Sequence, residues 1–398
     1  MHFWFLILHA KYAAELPHRR ISMNTYRVGI IGLGRMGSTI DDQLPKHRHP
    51  FSIAAACAQS ERLELVAGAD IMAEKVDAFK EKWGIESTYD DYSEMIQKEN
   101  LDLVAICTTA TGLPKPGKRA PSPNFVGESH ATIATEIANS GVPMVFLEKA
   151  IACSMKKADD VLEAFTKHGT LLNTGVLRRF NNAYKTMRIA IERGDIGEPK
   201  IALYYGSTDL MHGHIHSIDT ISYLLSDPLI KAVRGELYPQ NIDLINNRLE
   251  KDPQATYQIL FENNIQAWNI RANLPEYEII GTNGSIRAIN DGEFISLRNT
   301  TDTMDIESIR DNGTPLNYQC LLDKQTQRTV ASVTPYSPTI SCLENLVESY
   351  ENHQPTLGNV EVAHRTTEAC IAVAESHHQS GTWITLPIAN RDMYIFHV

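Results

Sequence analysis

The amino-acid sequence predicts an α/β protein of two domains: a doubly wound parallel sheet over residues 25–177 and, over 178–398, an α+β domain with a mostly antiparallel sheet. Three observations carry that prediction. Apolar runs of strand length alternate with helix-period segments as far as Val176; a glycine-rich turn follows the first run; and beyond Arg178-Arg-Phe180 strand-like segments succeed one another with few helices between. A chain of 398 residues is long enough for two cores.

The first element is Tyr26-Arg-Val-Gly-Ile-Ile-Gly-Leu-Gly-Arg-Met-Gly37. Val28, Ile30 and Ile31 make the apolar run of a parallel strand covered on both faces. Gly32, Gly34 and Gly37, with Arg35 and Met36 between the last two, fall at G-x-G-x-x-G spacing. The first glycine permits a tight turn, the second lets backbone approach a pyrophosphate, and the third lets a helix pack on the strand with its free N–H groups toward the phosphates. A glycine turn without a ligand is the alternative that context must exclude. Leu63 to Asp70 reads as the next strand, ending on a carboxylate suited to an adenosine ribose 2′-hydroxyl and repulsive to a 2′-phosphate, which favours NAD over NADP. Asp70 lies further from the glycines than the roughly 20 residues usual for this acid. Asp41 to Arg62, including Pro45-Lys-His-Arg-His-Pro50, reads as an insertion; a strand within it would make Asp70 the wrong acid.

Met72 to Trp83 and Tyr92 to Lys98 read as helices, and Leu101 to Cys107 as a strand that delivers Thr108 and Thr109 to its carboxyl end, where open α/β sheets bind ligands. Gly112 to Gly127, with four prolines and Lys115, Lys118 and Arg119, reads as a loop at the mouth of the site. Ser129 to Ser140 is a helix, Pro143 to Ala150 a strand ending in Glu148-Lys149, Met155 to His168 a helix and Thr170 to Val176 a strand. After a helix over Asn182 to Arg193, strands are expected at Ile201–Tyr205, Ala232–Leu237, Ala255–Phe261, Ile265–Ile270, Tyr277–Ile280 and Ser285–Ala288, with Asn283-Gly284 as a hairpin turn. Ser217–Leu225, Ile340–Tyr350 and Asn359–Gln379 read as helices and Trp383–Pro387 as a closing strand.

Composition narrows the function. A net charge of −11 argues against a nucleic-acid surface, and six scattered cysteines form neither a disulfide framework nor a zinc pattern, which fits a reducing cytoplasm. Phe3 to Leu8 is too short to span a bilayer. Residues 1–24 read as an extension outside the fold, with Met23 an alternative start.

Two clusters could carry chemistry. Lys149, at a strand end, could polarise a substrate oxygen or simply be solvated. In Met211-His-Gly-His-Ile-His-Ser-Ile-Asp219, the histidines His212, His214 and His216 would share one face if extended and could hold a metal; alternatively His216 is a general base at a helix start with Asp219 in its first turn, or a structural histidine.

The order of glycine fingerprint, acidic strand end, Glu148-Lys149, Arg179-Phe180 junction, His216-x-x-Asp219 and closing Ser380-Gly-x-x-x-x-Leu-Pro387 resembles the glucose-fructose oxidoreductase and inositol dehydrogenase (Gfo/Idh/MocA) family from Tyr26 to Pro387. The resemblance implies a Rossmann domain followed by a domain whose large open sheet serves in homo-oligomer contacts, giving a dimer or tetramer. It also implies a nicotinamide cofactor and substrates that are mostly sugars, cyclitols or related polyols. By resemblance Lys149 is the catalytic lysine and His216 the proton acceptor. The family's Asp-x-x-x-His pair falls on His212 and His216, and its Glu-Lys-Pro on Glu148-Lys149-Ala150. His130 matches a histidine that opens the helix before the Glu-Lys strand. Ala150 in place of a proline that often lies in cis leaves the backbone course after Lys149 open, and His212 in place of aspartate leaves the substrate open.

The resulting expectation is an NAD-dependent oxidoreductase, NADP being disfavoured, that acts on a secondary alcohol or hemiacetal carbon of a carbohydrate-like small molecule. No nucleic acid, membrane or metal is expected. Gly32, Gly34, Arg35, Met36, Gly37, Asp70, Thr108, Thr109, His130 and Glu148 would bind the cofactor, and His212, Arg178 and Arg179 the substrate. A dinucleotide-binding sensor of the same fold, or an enzyme that keeps NAD through an oxidation and elimination cycle, are the alternatives.

Overall fold

The computed structural model describes residues 24–48, 50–109, 128–299, 327–332 and 336–397, with only the backbone course at 47 and 327–332. Expectations for the N-terminal extension up to residue 23 and for Gly112 to Gly127 lie outside the described residues. Strands β1 (Tyr26–Ile31), β2 (Leu63–Ala69), β3 (Thr88–Tyr89), β4 (Leu103–Ile106), β5 (Met144–Leu147) and β6 (Leu171–Thr174) pair in the order β3-β2-β1-β4-β5-β6. Every pair is parallel. The short apolar runs explain why. Along β4 and β5, Leu103, Ala105, Met144 and Phe146 enter one core cluster with Val28 and Ile30, while Val104, Ile106, Val145 and Leu147 enter the other with Ile31. A strand with both faces covered needs apolar residues at consecutive positions. Helices α1 (Ile53–Gln59), α2 (Ala73–Trp83), α3 (Tyr92–Lys98), α4 (Ser129–Ser140) and α5 (Met155–His168) supply the cover.

The chain departs from expectation just after the glycines. Instead of a helix starting there, Ser38 and Thr39 both donate to the Gly34 carbonyl in one wide turn, Arg35–Thr39, and the first α-helix waits until Ile53. The segment between is closed on itself by Asp41, whose carboxylate accepts the N–H groups of Phe51 (2.7 Å) and Ser52 (2.9 Å). Ser52 then caps α1. Among the described residues the insertion holds no strand, so β2 lies directly beside β1 and carries Asp70 at its carboxyl end.

The second sheet has nine strands in the order β15-β14-β13-β12-β7-β11-β10-β8-β16. They are β7 (Pro199–Tyr205), β8 (Ile230–Tyr238), β10 (Gln254–Phe261), β11 (Gln266–Ile270), β12 (Glu276–Gly281), β13 (Gly284–Ile289), β14 (Phe294–Asn299), β15 (Gln327–Ser332) and β16 (Ile384–Thr385). Only β7 and β11 pair parallel; the other pairs are antiparallel. Asn283-Gly284 makes the β12–β13 hairpin as predicted. A separate parallel pair joins β9 (Arg248–Leu249) to β17 (Tyr394–Ile395), near the C-terminus. The sheet is covered by α6 (Asn182–Glu192), α7 (Ile215–Leu224) and the later helix α9 (Val360–His378).

The expected boundary at 177/178 does not divide the cores. Helix α8 (Pro338–Asn352) returns to the first domain, where Ile340, Leu343, Leu346 and Val347 join the cluster of Val28, Ile30 and Phe146. Asn173 of β6 donates to the Cys342 carbonyl (3.0 Å) and to Asn345 Oδ1 (3.1 Å) on that helix. Helix α9 spans both units, packing on β8 and placing His364 at 2.8 Å from Asp159 of α5. Helical periodicity marks an apolar face without saying which sheet it covers.

Candidate active site

At the carboxyl edge of the first sheet, the glycine turn is built by close approach. Gly32 has φ 91°, and a Cβ there would lie 2.7 Å from the Cys107 carbonyl at the end of β4. At Gly37 a Cβ would strike the carbonyl oxygen of Gly32. At Gly34 the nearest atom to such a Cβ is Lys75 Nζ at 3.8 Å, so the outer face of the turn is open. Asp70 borders this cradle. Its Oδ2 accepts Leu33 N–H (2.9 Å) and its Oδ1 accepts Met72 N–H (3.0 Å), with Lys75 Nζ 3.4 Å away. Arg35 is exposed at the turn, and Met36 is half-buried against the core. Thr108 pairs through Oγ1 with Ser129 Oγ (3.0 Å), and the Thr109 carbonyl accepts from the same serine.

His130 is placed differently from the cofactor contact expected. Its Nδ1 is 2.8 Å from the Ala150 carbonyl and its Nε2 2.9 Å from the Thr108 carbonyl. Burial pushes its pKa down to about 4. Each nitrogen faces a backbone carbonyl, and the one that carries the hydrogen donates, so His130 sits between the end of β4 and the segment after Lys149 and turns neither nitrogen to a ligand.

Glu148 and Lys149 leave β5 side by side. Glu148 is buried: Oε2 accepts the Lys149 N–H (3.3 Å), Oε1 has no hydrogen-bond partner, and burial raises its pKa against the pull of Lys149. The open cradle over Gly34 and this unsatisfied carboxylate oxygen, at two places along one sheet edge, fit a dinucleotide lying there. The Lys149–Ala150 peptide is cis. Lys149 Nζ reaches out to 3.3 Å from Nδ1 of His212, and burial lowers its pKa while Glu148 and Asp252 pull it back up.

His212 arrives from the second domain on a wide turn, Leu210–His214, that runs straight into α7. Asp252 pins the turn by accepting the N–H groups of Met211 (2.8 Å) and His212 (2.7 Å). The expectation of three histidines on one extended face therefore fails. The chain is helical here, and His214 points inward to the Ala255 carbonyl (2.8 Å) and Ser217 Oγ (3.2 Å) between Tyr204 and Tyr257. His216, second residue of α7, is partly buried. Burial drives its pKa well down, and Lys149, Arg178, His212 and His397 each add to that, so its ring is held neutral and able to accept a proton.

The adjacent arginines separate. Arg178 forms a two-pronged pair with Asp291 (2.8 and 3.0 Å) over the Tyr277 ring, close enough for its charge to act on His216. Arg179 corrects the expectation of a substrate contact. Its side chain is 0% exposed and bonds Asp219, Asp227 and the Leu357 carbonyl, leaving nothing for a ligand. Asp219 is thereby committed to Arg179 rather than to His216. Sequence reasoning also missed Asp252 and His397, whose Nε2 lies 3.1 Å from the Lys149 carbonyl. Neither sits in a motif, and nothing in the pattern marks them.

Residues 26–176 match the family model GFO_IDH_MocA, described as an oxidoreductase family with an NAD-binding Rossmann fold. An uncharacterized oxidoreductase, YrbE, of Bacillus subtilis is 26% identical over 285 residues, covering 66% of this chain and 73% of that protein. Inositol 2-dehydrogenase of Salmonella typhimurium is 27% identical over 243 residues, covering 58% of this chain and 62% of the enzyme, less than two thirds of its length. Among solved structures, aldose-aldose oxidoreductase from Caulobacter crescentus complexed with glycerol superposes with a TM-score of 0.68 at 17% identity, over 91% of this chain and 100% of that one. Scyllo-inositol dehydrogenase from Lactobacillus casei with NAD(H) and scyllo-inositol gives 0.62 at 19% identity, over 91% and 99%. Over residues 26–176 the first domain is thus similar to the NAD-binding Rossmann fold of the GFO_IDH_MocA oxidoreductase family.

Proposed function

We propose that the chain is an NAD-dependent dehydrogenase acting on a secondary alcohol or hemiacetal carbon of a sugar, cyclitol or related polyol. The observation that carries this is the meeting of Lys149, from the cofactor domain, with His212, from the second domain, at 3.3 Å, where the charge of Lys149 also acts on His216. The names of the relatives, inositol dehydrogenases among them, support the same class. Bound NAD would accept the hydride. Gly32, Gly34 and Gly37 would let its pyrophosphate approach, with the exposed Arg35 beside it; Asp70 would meet the ribose, and Thr108, Thr109 and Glu148 would line the edge toward the nicotinamide. Lys149 orients the substrate hydroxyl and stabilises negative charge growing on its oxygen, while His216 takes the proton. His212 and Arg178 border the substrate.

The second sheet keeps Ile201, Trp268, Ile270 and Phe294 exposed, and a second copy of the chain covering them would give the homo-oligomer. The described cysteines Cys57, Cys107, Cys153, Cys342 and Cys370 are all unpaired, which favours the cytoplasm, and no helix among the described residues is long and apolar enough to cross a membrane. Incubation of the full chain with NAD and a panel of myo-inositol, scyllo-inositol and D-glucose, followed by NADH absorbance, tests the assignment. Reduction with at least one polyol is expected. Tight NAD binding without turnover of any of them would instead favour a dinucleotide sensor.

A further inference from the structure

The polar groups around Lys149 include one pair that the mechanism above does not use. Asp252 follows β9, and its two oxygens hold the backbone N–H groups of Met211 and His212. The imidazole of His397 lies against it from far along the chain, with Nδ1 at 3.7 Å from Asp252 Oδ2, an ion-pair distance rather than a hydrogen bond. His397 is 1% exposed, and its Nδ1 has no hydrogen-bond partner. The segment carrying it is stitched to both domains: Tyr394 N–H to the Asn247 carbonyl (3.0 Å), Ile395 N–H to the Cys153 carbonyl (2.9 Å) and Phe396 N–H to the Leu249 carbonyl (2.9 Å). Its ring stands 5.6 Å from that of His212.

We propose that Asp252 and His397 form a positioning pair that holds Lys149 and His212 against each other, His397 from the lysine's backbone and Asp252 from the histidine's. The role in turnover rests on the dehydrogenase function proposed above. The hydrogen bonding is directional. The Lys149 carbonyl only accepts, so Nε2 of His397 carries the hydrogen there, and Nδ1 is left facing a carboxylate that also only accepts. The pair thus ties the exit of β5 to the turn before α7 across the domain junction. A side chain that merely filled space here would need neither nitrogen, and burial of a polar ring without partners is disfavoured. The charge of Asp252 also acts on Lys149 directly, favouring its ammonium form.

The test uses the full chain as His397→Ala, His397→Gln and Asp252→Asn, with NAD and whichever of myo-inositol, scyllo-inositol and D-glucose the unmodified chain oxidises fastest. His397→Ala is expected to lower kcat about tenfold or more, the low end of what misplacing a catalytic group costs, with KM for NAD within about threefold. His397→Gln, whose amide can donate to the Lys149 carbonyl, restores most of that loss. A second readout needs no turnover: the rate of reductive methylation of Lys149 by formaldehyde and cyanoborohydride against pH, located by mass spectrometry of peptides. Lys149 is faced by Glu148, Asp252, His212, His216 and His397. Loss of the negative charge in Asp252→Asn moves the onset of methylation to lower pH. An alanine variant with unaltered kcat, equal losses in the alanine and glutamine variants, or an unmoved methylation profile in Asp252→Asn would overturn the pair. Should His397→Ala not fold, the glutamine and asparagine variants decide. If the unmodified chain oxidises none of the polyols, the dehydrogenase assignment falls, and methylation alone judges the pair.

Discussion

The two ends of the sheet edge are built in opposite ways. At the glycine turn, residues 32–37 are held by the ends of the neighbouring strands: Gly32 against Cys107, and Leu33 against Asp70. At the lysine end, Lys149 meets His212 and His397, and Asp252 joins them, so four separate stretches of chain supply one small volume. The first end is a local motif set on a sheet. The second exists only because two domains and the C-terminal segment come together, and damage to it should leave the first intact.

The sharpest test of that separation is Lys149→Ala. Turnover should fall at least about 100-fold, within the range for a positioned acid–base group, while calorimetric NAD affinity stays within about threefold; a parallel loss of NAD binding would mean that the two ends are one unit. Next comes Arg179→Ala. It strands the buried Asp219 carboxylate, so urea unfolding should show a loss of ~3–5 kcal/mol. The same change at Arg178, on the partly exposed Asp291 pair, should cost markedly less, and equal costs would put both arginines in one structural network. At the glycine end, Asp70→Ala should erode the NAD over NADP preference by about tenfold or more, as expected from losing a charge-assisted hydrogen bond of ~1.5–3 kcal/mol. An unaltered ratio would point to another acid.

The smallest effect concerns pH. His216 is held below its ordinary pKa of 6.5, so its proton-accepting form persists into more acidic solution, and the acid limb of kcat/KM should lie below pH 6.5. His212 adds to that depression, so His212→Gln should move the limb upward. A downward move would remove His216 as the base.

Much of this was legible in the sequence because it depends on neighbours along the chain. The runs in β1, β4 and β5, the G-x-G-x-x-G turn, the Asn283-Gly284 hairpin and α7 all follow from local periodicity and turn chemistry. The errors share a cause as well. Alternating His212, His214 and His216 suggested an extended face, but the turn pinned by Asp252 and the helix after it rotate His214 into the core. Arg178 and Arg179 looked equivalent because sequence position says nothing about which of two adjacent side chains a buried carboxylate will claim. Helix α8 was assigned to the second domain by order alone, although its apolar face completes the first.

By itself the sequence determined the parallel first sheet, the glycine cradle with Asp70 beside it and the succession of strands after Arg178, since strand period, glycine spacing and turn residues act over a few positions. The tertiary structure alone decided that Lys149 faces His212, that Arg179 and His130 are structural and that Asp252 and His397 stand behind the site. Those outcomes depend on contacts between residues far apart in the chain, and on burial, which a local pattern does not encode.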